Sequence, residues 1–286
     1  MAKSVLITGC SSGIGLLAAR FFAARGWNVV ATARDPAALT GIAGDNVLAL
    51  PLDVTDEPSI AAAVAAGVER FGSIDVLVNN AGHGIFGPLE AISADQLEHQ
   101  FRVNVLGTAA MIRHVLPVMR TRHSGTIINM SSIGGRISTP YVSAYYATKF
   151  AVEGLSESLR YELKAHGVRV KLIEPAHFKT GFIARALPLW ATHADYEPQA
   201  SNMKAWVAHA DAHAPAPDPV VAMIFKAATD TSDRLRYPVS GRLMLGIHAL
   251  LPDALWRALL GAGMTRRPRE PKVGMAKAEV NGQPEF

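Results

Sequence analysis

The run Thr8-Gly9-Cys10-Ser11-Ser12-Gly13-Ile14-Gly15 constrains this chain more than any other eight residues. It follows the apolar stretch KSVLIT and leads into GLLAARFFAARG, so it reads as a strand turning sharply into a helix. Gly9, Gly13 and Gly15 permit a tight turn and let a ligand approach the backbone. Gly13-Ile14-Gly15-Leu16-Leu17-Ala18 also fits G-x-G-x-x-G/A, the pattern that rests a pyrophosphate on a helix N-terminus. The unpaired N–H groups and the dipole of that helix favour an anion there. A bare glycine pattern is weak; one that follows a strand and opens a helix is a phosphate loop.

The alternation repeats downstream. NVVATA, NVLALPLDV, IDVLVNNAG, GTIINMSS and VRVKLIEP read as strands. SIAAAVAAGVERFG, ADQLEHQFRVNVLGTAAMIRHVLPVMR and SAYYATKFAVEGLSESLRYELKAHG read as helices, the first closing at Gly72 and the last at Gly167. The strands are apolar throughout, as required when helices cover both sheet faces. The pattern predicts an α/β fold: one doubly wound parallel sheet of Rossmann type, helices on both faces, in a single domain over residues 1–264. After Pro175 the rhythm breaks, and about 181–218 reads as an insertion. PDPVVAMIFKAATD then reads as a helix, RYPVSG as a last strand and the apolar segment around Leu250 as a last helix. Residues 265–286 read as a polar C-terminal tail.

Apolar residues make up 49% and charged residues 18%, enough for a sizeable core and too little charge for global disorder. The net charge of +4 is scattered. Its one cluster, Arg266, Arg267, Arg269 and Lys272, has no interleaved aromatics, so it reads as a solvated tail rather than a nucleic-acid arm. The single cysteine, Cys10, permits no internal disulfide and fits a reducing compartment. It sits inside the glycine loop, where a packed small residue is expected, with thiol-reagent sensitivity of the loop as a weaker expectation. No apolar run reaches the roughly 18 residues of a membrane span, since Arg242, His248, Pro252, Asp253 and Arg257 interrupt the closest one. A cytoplasmic protein with no transmembrane segment and no nucleic-acid partner is expected.

Cofactor choice turns on Arg34, just past the second strand. An acid here would hold a ribose 2′-OH, whereas an arginine accommodates a 2′-phosphate. NADP(H) is therefore expected, with NAD(H) as the alternative. Asp35 is expected to cap a helix ahead of Pro36.

Tyr145 and Lys149 lie four apart in a helical run and so share a face. A free tyrosine, with a pKa of about 10, is mismatched to proton transfer at neutral pH. A neighbouring ammonium favours the phenolate and is expected to lower that value. The spacing alone is common and fits a surface Tyr and a solvated Lys equally well. Ser132 stands at the end of the fifth strand, where open α/β sheets present ligands, and its hydroxyl can polarise a carbonyl oxygen.

Taken together, TGCSSGIG (8–15), DV (53–54), NNAG (79–82), Asn104, Ser132 and Tyr145-x-x-x-Lys149 resemble the short-chain dehydrogenase/reductase family, over about residues 3–180. VVATARD and the stretch before Tyr145 look closest to hydroxysteroid, retinol and carbonyl reductase-type members. The resemblance selects Tyr145 over Tyr146 and Ser132 over Ser131, and implies that Asn104 holds a water relaying protons to Lys149. It implies cofactor contacts from Gly9, Ser11, Ser12, Gly13, Ile14 and Gly15. Asp53 and Val54 would flank the adenine, and Asn80, Ala81 and Gly82 would pass the ribose. Tyr145 and Lys149 belong to the cofactor site as well, and Pro175, Phe178 and Thr180 would meet the carboxamide. Where the family reads Pro-Gly-x-x-x-Thr, this chain has Ala176, so the bend there is expected to differ slightly. The family also implies a homodimer or homotetramer formed through the helices at about 94–121 and 143–166.

Ten histidines raise the question of a metal, and His209 and His213 are four apart. No third ligand joins them in sequence, and none is expected to. The insertion carries Phe182, Leu187, Leu189, Trp190 and Trp206, consistent either with a substrate lid or with a surface or subunit contact. As a lid it implies an apolar carbonyl or a primary or secondary alcohol as substrate. The expected activity is NADP(H)-dependent interconversion of the two. A catalytically silent dinucleotide sensor or scaffold on the same fold is the alternative, disfavoured by the complete Ser/Tyr/Lys set.

Overall fold

Seven short strands, β1 (Ser4–Ile7), β2 (Asn28–Ala33), β3 (Val47–Pro51), β4 (Val76–Asn79), β5 (Gly125–Met130), β6 (Val168–Pro175) and β7 (Arg236–Val239), fall where the apolar runs predict them. They come from a computed structural model that describes residues 2–42 and 44–264; the expected tail at 265–286 lies outside the described residues. All neighbouring strands pair in parallel, in the order β3-β2-β1-β4-β5-β6-β7. The order reverses between β1 and β4, which opens a crevice at their carboxyl ends.

The helices are α1 (Gly13–Ala23), α2 (Glu57–Phe71), α3 (Ala94–Phe101), α4 (Gly107–Thr121), α5 (Ser143–Leu163), α6 (Phe182–Ala186), α7 (Gln199–Ala212), α8 (Asp218–Thr229), α9 (Arg242–Leu250) and α10 (Asp253–Met264). Successive strand side chains point to opposite faces, so β1 feeds two cores. Val5 and Ile7 join Phe22 of α1 and Ile224 of α8 on one face. Leu6 joins Ile60 of α2, Met111 of α4 and Val152 of α5 on the other. Fully burying one such aliphatic side chain contributes about 1.5–3 kcal/mol. Both faces are covered over the central strands β1, β4 and β5, which are buried throughout and carry no charged side chain.

The structure departs from the pattern at two places. The single helix expected over 94–121 is split by a π-helical turn at Arg102–Leu106. The wider turn turns Asn104 inward, and it brings Gly107 so close to the turn after β3 that a Cβ there would stand 2.8 Å from Val54 Cγ2. The segment around Leu250 forms two helices, α9 and α10, because Pro252 forces Leu251 into extended backbone. The insertion contributes α6, two 3-10 turns (Leu187–Leu189 and Ala194–Tyr196) and α7. Ala186, Trp190, Met203 and Val207 from it bury against Phe86 and Val142, above Tyr145 and Tyr146.

Candidate active site

The floor of the crevice is made of backbone. Gly9 (φ +72) and Gly13 (φ +58) occupy the left-handed region. A Cβ on Gly15 would run into the Gly9 carbonyl and stand 2.5 Å from Asn80 Nδ2, so only glycine fits. Thr8 Oγ1 accepts from the N–H groups of Asn80 (3.0 Å) and Ala81 (2.9 Å), while Asn80 Nδ2 donates to Thr8 O at 2.9 Å. These bonds tie the end of β4 to the end of β1 at the point where the strand order reverses. Ser12 caps α1 without a side-chain hydrogen bond, leaving first-turn N–H groups to a ligand. Ser11 is exposed at the tip of the loop. Cys10 is buried, its thiol donating to Ile7 O at 3.2 Å, and burial pushes its pKa up to about 12. The thiol-reagent sensitivity expected of it is thus contradicted, because a buried, protonated thiol is inert.

Arg34 is exposed beyond β2, and Asp35 accepts from Ala37 N at 2.9 Å as a helix cap. Asp53 Oδ1 takes Thr55 N and Oγ1, both at 2.8 Å. Its burial, which raises the pKa, is outweighed by those bonds and by the Arg34 charge, so the carboxyl stays below its usual range. Burial, then the His99 and Arg34 charges, push His83 down to about 4, so its ring is neutral.

Asn104 makes a three-bond clamp. Its Oδ1 accepts from His83 N (3.0 Å), and its Nδ2 donates to His83 O (2.9 Å) and Thr148 Oγ1 (3.1 Å). The amide thus fixes the loop after β4 to α5.

Ser132, Tyr145 and Lys149 line one cavity of about 360 Å³. Ser132 Oγ accepts from Gly134 N (3.0 Å) and donates to Pro175 O (3.3 Å), fixed at the end of β5. The Tyr145 ring packs edge-on against Phe86 at 5.8 Å and at a tilt against Phe182 at 5.4 Å. Lys149 Nζ donates to Met130 O at 2.8 Å and lies 5.6 Å from the Tyr145 ring centre. Burial pushes Lys149 down to about 8, with the Glu153 charge pulling against it. Burial also pushes Tyr145 above its ordinary value, Tyr146 adds to this, and a hydrogen bond with Ser132 opposes it. The lowering expected from Lys149 is not expressed here. Its ammonium is aimed at a sheet carbonyl, and desolvation dominates. A phenol so held is protonated and a donor.

Ile14, Asn80, Gly82, Pro175, Phe178 and Thr180 line the same cavity. Gly9, Ser11, Ser12, Gly13, Gly15, Arg34, Asp53, Val54 and Ala81 lie outside its wall, around the strand ends and the loops that leave them; Asn104 stands behind it. Ala176 N donates to Val239 O at 3.0 Å, so the Ala in place of Gly keeps the sheet register. The glycine floor, the uncapped first turn of α1 and the Asn80–Lys149–Thr180 lining fit an extended dinucleotide. A Cβ on Gly13 would stand 2.8 Å from Thr180 O, which closes one side of the cradle.

Sequence reasoning did not single out Phe86, Ile137, Val142, Met203 or Met244 as cavity residues. Phe86 alone carried a signal, following NNAG at the carboxyl end of β4. The His209 and His213 rings are 4.3 Å apart, and among the described residues no three His, Cys, Asp or Glu side chains form a metal-holding group. No helix among the described residues is long and apolar enough to cross a membrane.

The family described as short chain dehydrogenase matches residues 3–188. An uncharacterised oxidoreductase of Schizosaccharomyces pombe is 37% identical over 216 residues, 75% of this chain and 91% of the relative. Estradiol 17-beta-dehydrogenase 1 of Rattus norvegicus is 46% identical over 190 residues, 62% of this chain and 55% of the relative. Among solved structures, a short-chain dehydrogenase from Streptomyces avermitilis superposes with a TM-score of 0.78 at 33% identity, covering 92% of this chain and 96% of its own. A Burkholderia phymatum short-chain dehydrogenase/reductase in complex with NAD gives 0.77 at 27% identity, covering 94% and 97%. With the matched family spanning the phosphate loop, Ser132, Tyr145 and Lys149, the chain belongs to the short-chain dehydrogenase/reductase family of oxidoreductases.

Proposed function

We propose that this protein is an NADP(H)-dependent oxidoreductase that interconverts a carbonyl and an alcohol on an apolar substrate. The observation that carries the reading is one cavity lined by Ser132, Tyr145 and Lys149 together with Ile14, Asn80 and Gly82. The bound nicotinamide would supply hydride. Ser132 donates a hydrogen bond to the substrate oxygen, and Tyr145 O–H gives it a proton as negative charge develops there. Lys149, charged below a pH of about 8, stabilises the phenolate left behind. In oxidation the proton returns along the same path. Asn104 holds the His83 loop and α5 in register for this transfer.

Arg34, exposed at the end of β2 and unopposed by Asp35, supports NADP(H) over NAD(H). Phe86, Phe182, Met203 and Trp206 around Tyr145 support an apolar substrate, and α6 and α7 act as its lid. Leu106 is 60% exposed and Tyr161 68% exposed on the long helices α4–α5 and their π turn, which supports pairing with a second copy.

Tyr145→Phe is the deciding experiment. Turnover of a carbonyl panel with NADPH should fall about a thousandfold, with NADPH affinity within a few-fold of wild type. Undiminished turnover would reject the reading.

A further inference from the structure

A second ionisable cluster lies behind Lys149. Helix α5 places Tyr145, Lys149, Glu153 and Glu157 at four-residue steps, hence on one face. Where that face meets the sheet, buried Glu153 comes up against Glu174 of β6, which is 0% exposed. Arg236 of β7 donates Nε to Glu153 Oε2 at 2.9 Å, and the same nitrogen is 3.4 Å from Glu174 Oε1. Its Nη2 reaches Glu157 Oε2 at 2.7 Å. From the turn after β5, Arg136 Nη1 stands 3.9 Å from Glu174 Oε1. Arg160, which also acts on Glu157, is bonded to Asp233. Gly135 covers the group: a Cβ there would be 2.9 Å from Glu153 Cγ and 2.6 Å from Ser131 Oγ.

The hydrogen bonds do not close for two carboxylates. Glu153 Oε1 and both oxygens of Glu174 are buried with no donor. An ionised carboxyl only accepts, whereas a protonated one also donates. One proton on Glu174, donated to Glu153, supplies the missing bond and removes one of two like charges buried together.

We propose that Glu153 and Glu174 form a carboxyl pair sharing one proton, and that the pair, one helical turn from Lys149, keeps that ammonium charged. Both are then positioning residues for proton transfer at Tyr145, a role that rests on the function proposed above. Burial, followed by the Glu153 charge, pushes Glu174 up to about 7, just below the value of about 8 to which burial brings Lys149. As pH rises toward the range where Lys149 discharges, the pair releases its proton. The negative charge added beside Lys149 delays the loss of its positive one. Without the pair, burial alone would discharge the lysine at a lower pH.

The test has two arms. Infrared difference spectra of the ligand-free full chain, taken from about pH 5 to about pH 9, should show the C=O band of a buried protonated carboxyl that bleaches near pH 7. Glu174→Gln, which keeps a donor in place of the O–H, should fold normally and lack the band. Absence of the band in wild type, or its persistence in Glu174→Gln, would overturn the shared proton. In the second arm, the high-pH limb of kcat/KM in Glu153→Gln should move acidward by about one pH unit, with plateau kcat retained. Should that variant not fold, Glu174→Gln carries this arm, with a smaller acidward move. An unmoved limb in the variant assayed would overturn the positioning role. Failure of Tyr145→Phe to lose turnover would instead sink the function while leaving the infrared result standing.

Discussion

The two sides of the cavity are built from opposite materials. The cofactor side is backbone and hydrogen bonds: Gly15 against the Gly9 carbonyl, Thr8 holding two N–H groups, Asn80 holding Thr8 and Gly9. The roof is side chains and dispersion: Phe86, Trp190, Met203 and Val207 pack with Phe182 and Trp206, and the only polar side-chain groups of the cluster are the hydroxyls of three tyrosines and the indole N–H groups of two tryptophans. A hydrogen-bonded backbone cradle accepts one shape. An apolar roof tolerates many, because contacts without direction can be re-formed by neighbouring side chains. The first suits a ligand that never varies, and the second suits a substrate that differs from one relative to the next. Tyr145 stands at the junction, with its hydroxyl near Ser132 and its ring in the roof.

The floor is the less forgiving of the two sides. Gly15→Val would drive a branched side chain into backbone that cannot yield. Cofactor affinity measured by calorimetry should fall about a hundredfold or more, with a stability loss of about 1–3 kcal/mol. Affinity within a few-fold of wild type would mean that the cradle is as adaptable as the roof.

The same contrast governs what could be read from the sequence. The glycine loop and the Tyr145/Lys149 pair were legible because their chemistry is compressed into spacings of a few residues. The cavity roof was legible only in part, through Phe182, Trp190 and Trp206 of the insertion; Phe86, Tyr146, Met203 and Met244 come from four separate elements and carry no shared spacing. The π turn at Arg102–Leu106 answers a contact between Gly107 and Val54 that no local pattern encodes. Glu153 and Arg236 are 83 positions apart. The direction of the Tyr145 shift was missed for a related reason: the helix spacing reveals a nearby charge, but burial is a property of the whole fold, and here burial is larger.

Arg34 tests the edge of the floor, where the cradle gives way to an exposed side chain. Arg34→Ala removes a charge-assisted contact of about 1.5–3 kcal/mol to a 2′-phosphate. NADPH should bind about tenfold or more weaker in fluorescence titration, with NADH changed less than about twofold. Because exposed charges are screened, the difference should shrink with added salt. Equal losses for both cofactors would show that Arg34 shapes the loop rather than reading the phosphate.

Trp206→Ala gives the smallest effect and the finest discrimination. Trp206 is half-buried on α7 and lines the cavity, so truncation removes apolar area without touching Ser132, Tyr145 or Lys149. Neighbours Phe182 and Val207 can close part of the gap, which keeps the loss below that of a fully buried tryptophan. KM for an apolar ketone should rise about fivefold, kcat should stay within about twofold, and NADPH affinity should not move. That split follows if the roof binds ground state and transition state alike. A fall in kcat at constant KM would mean that Trp206 also fixes the Tyr145 ring. The roof would then belong, like the floor, to the directional part of the site.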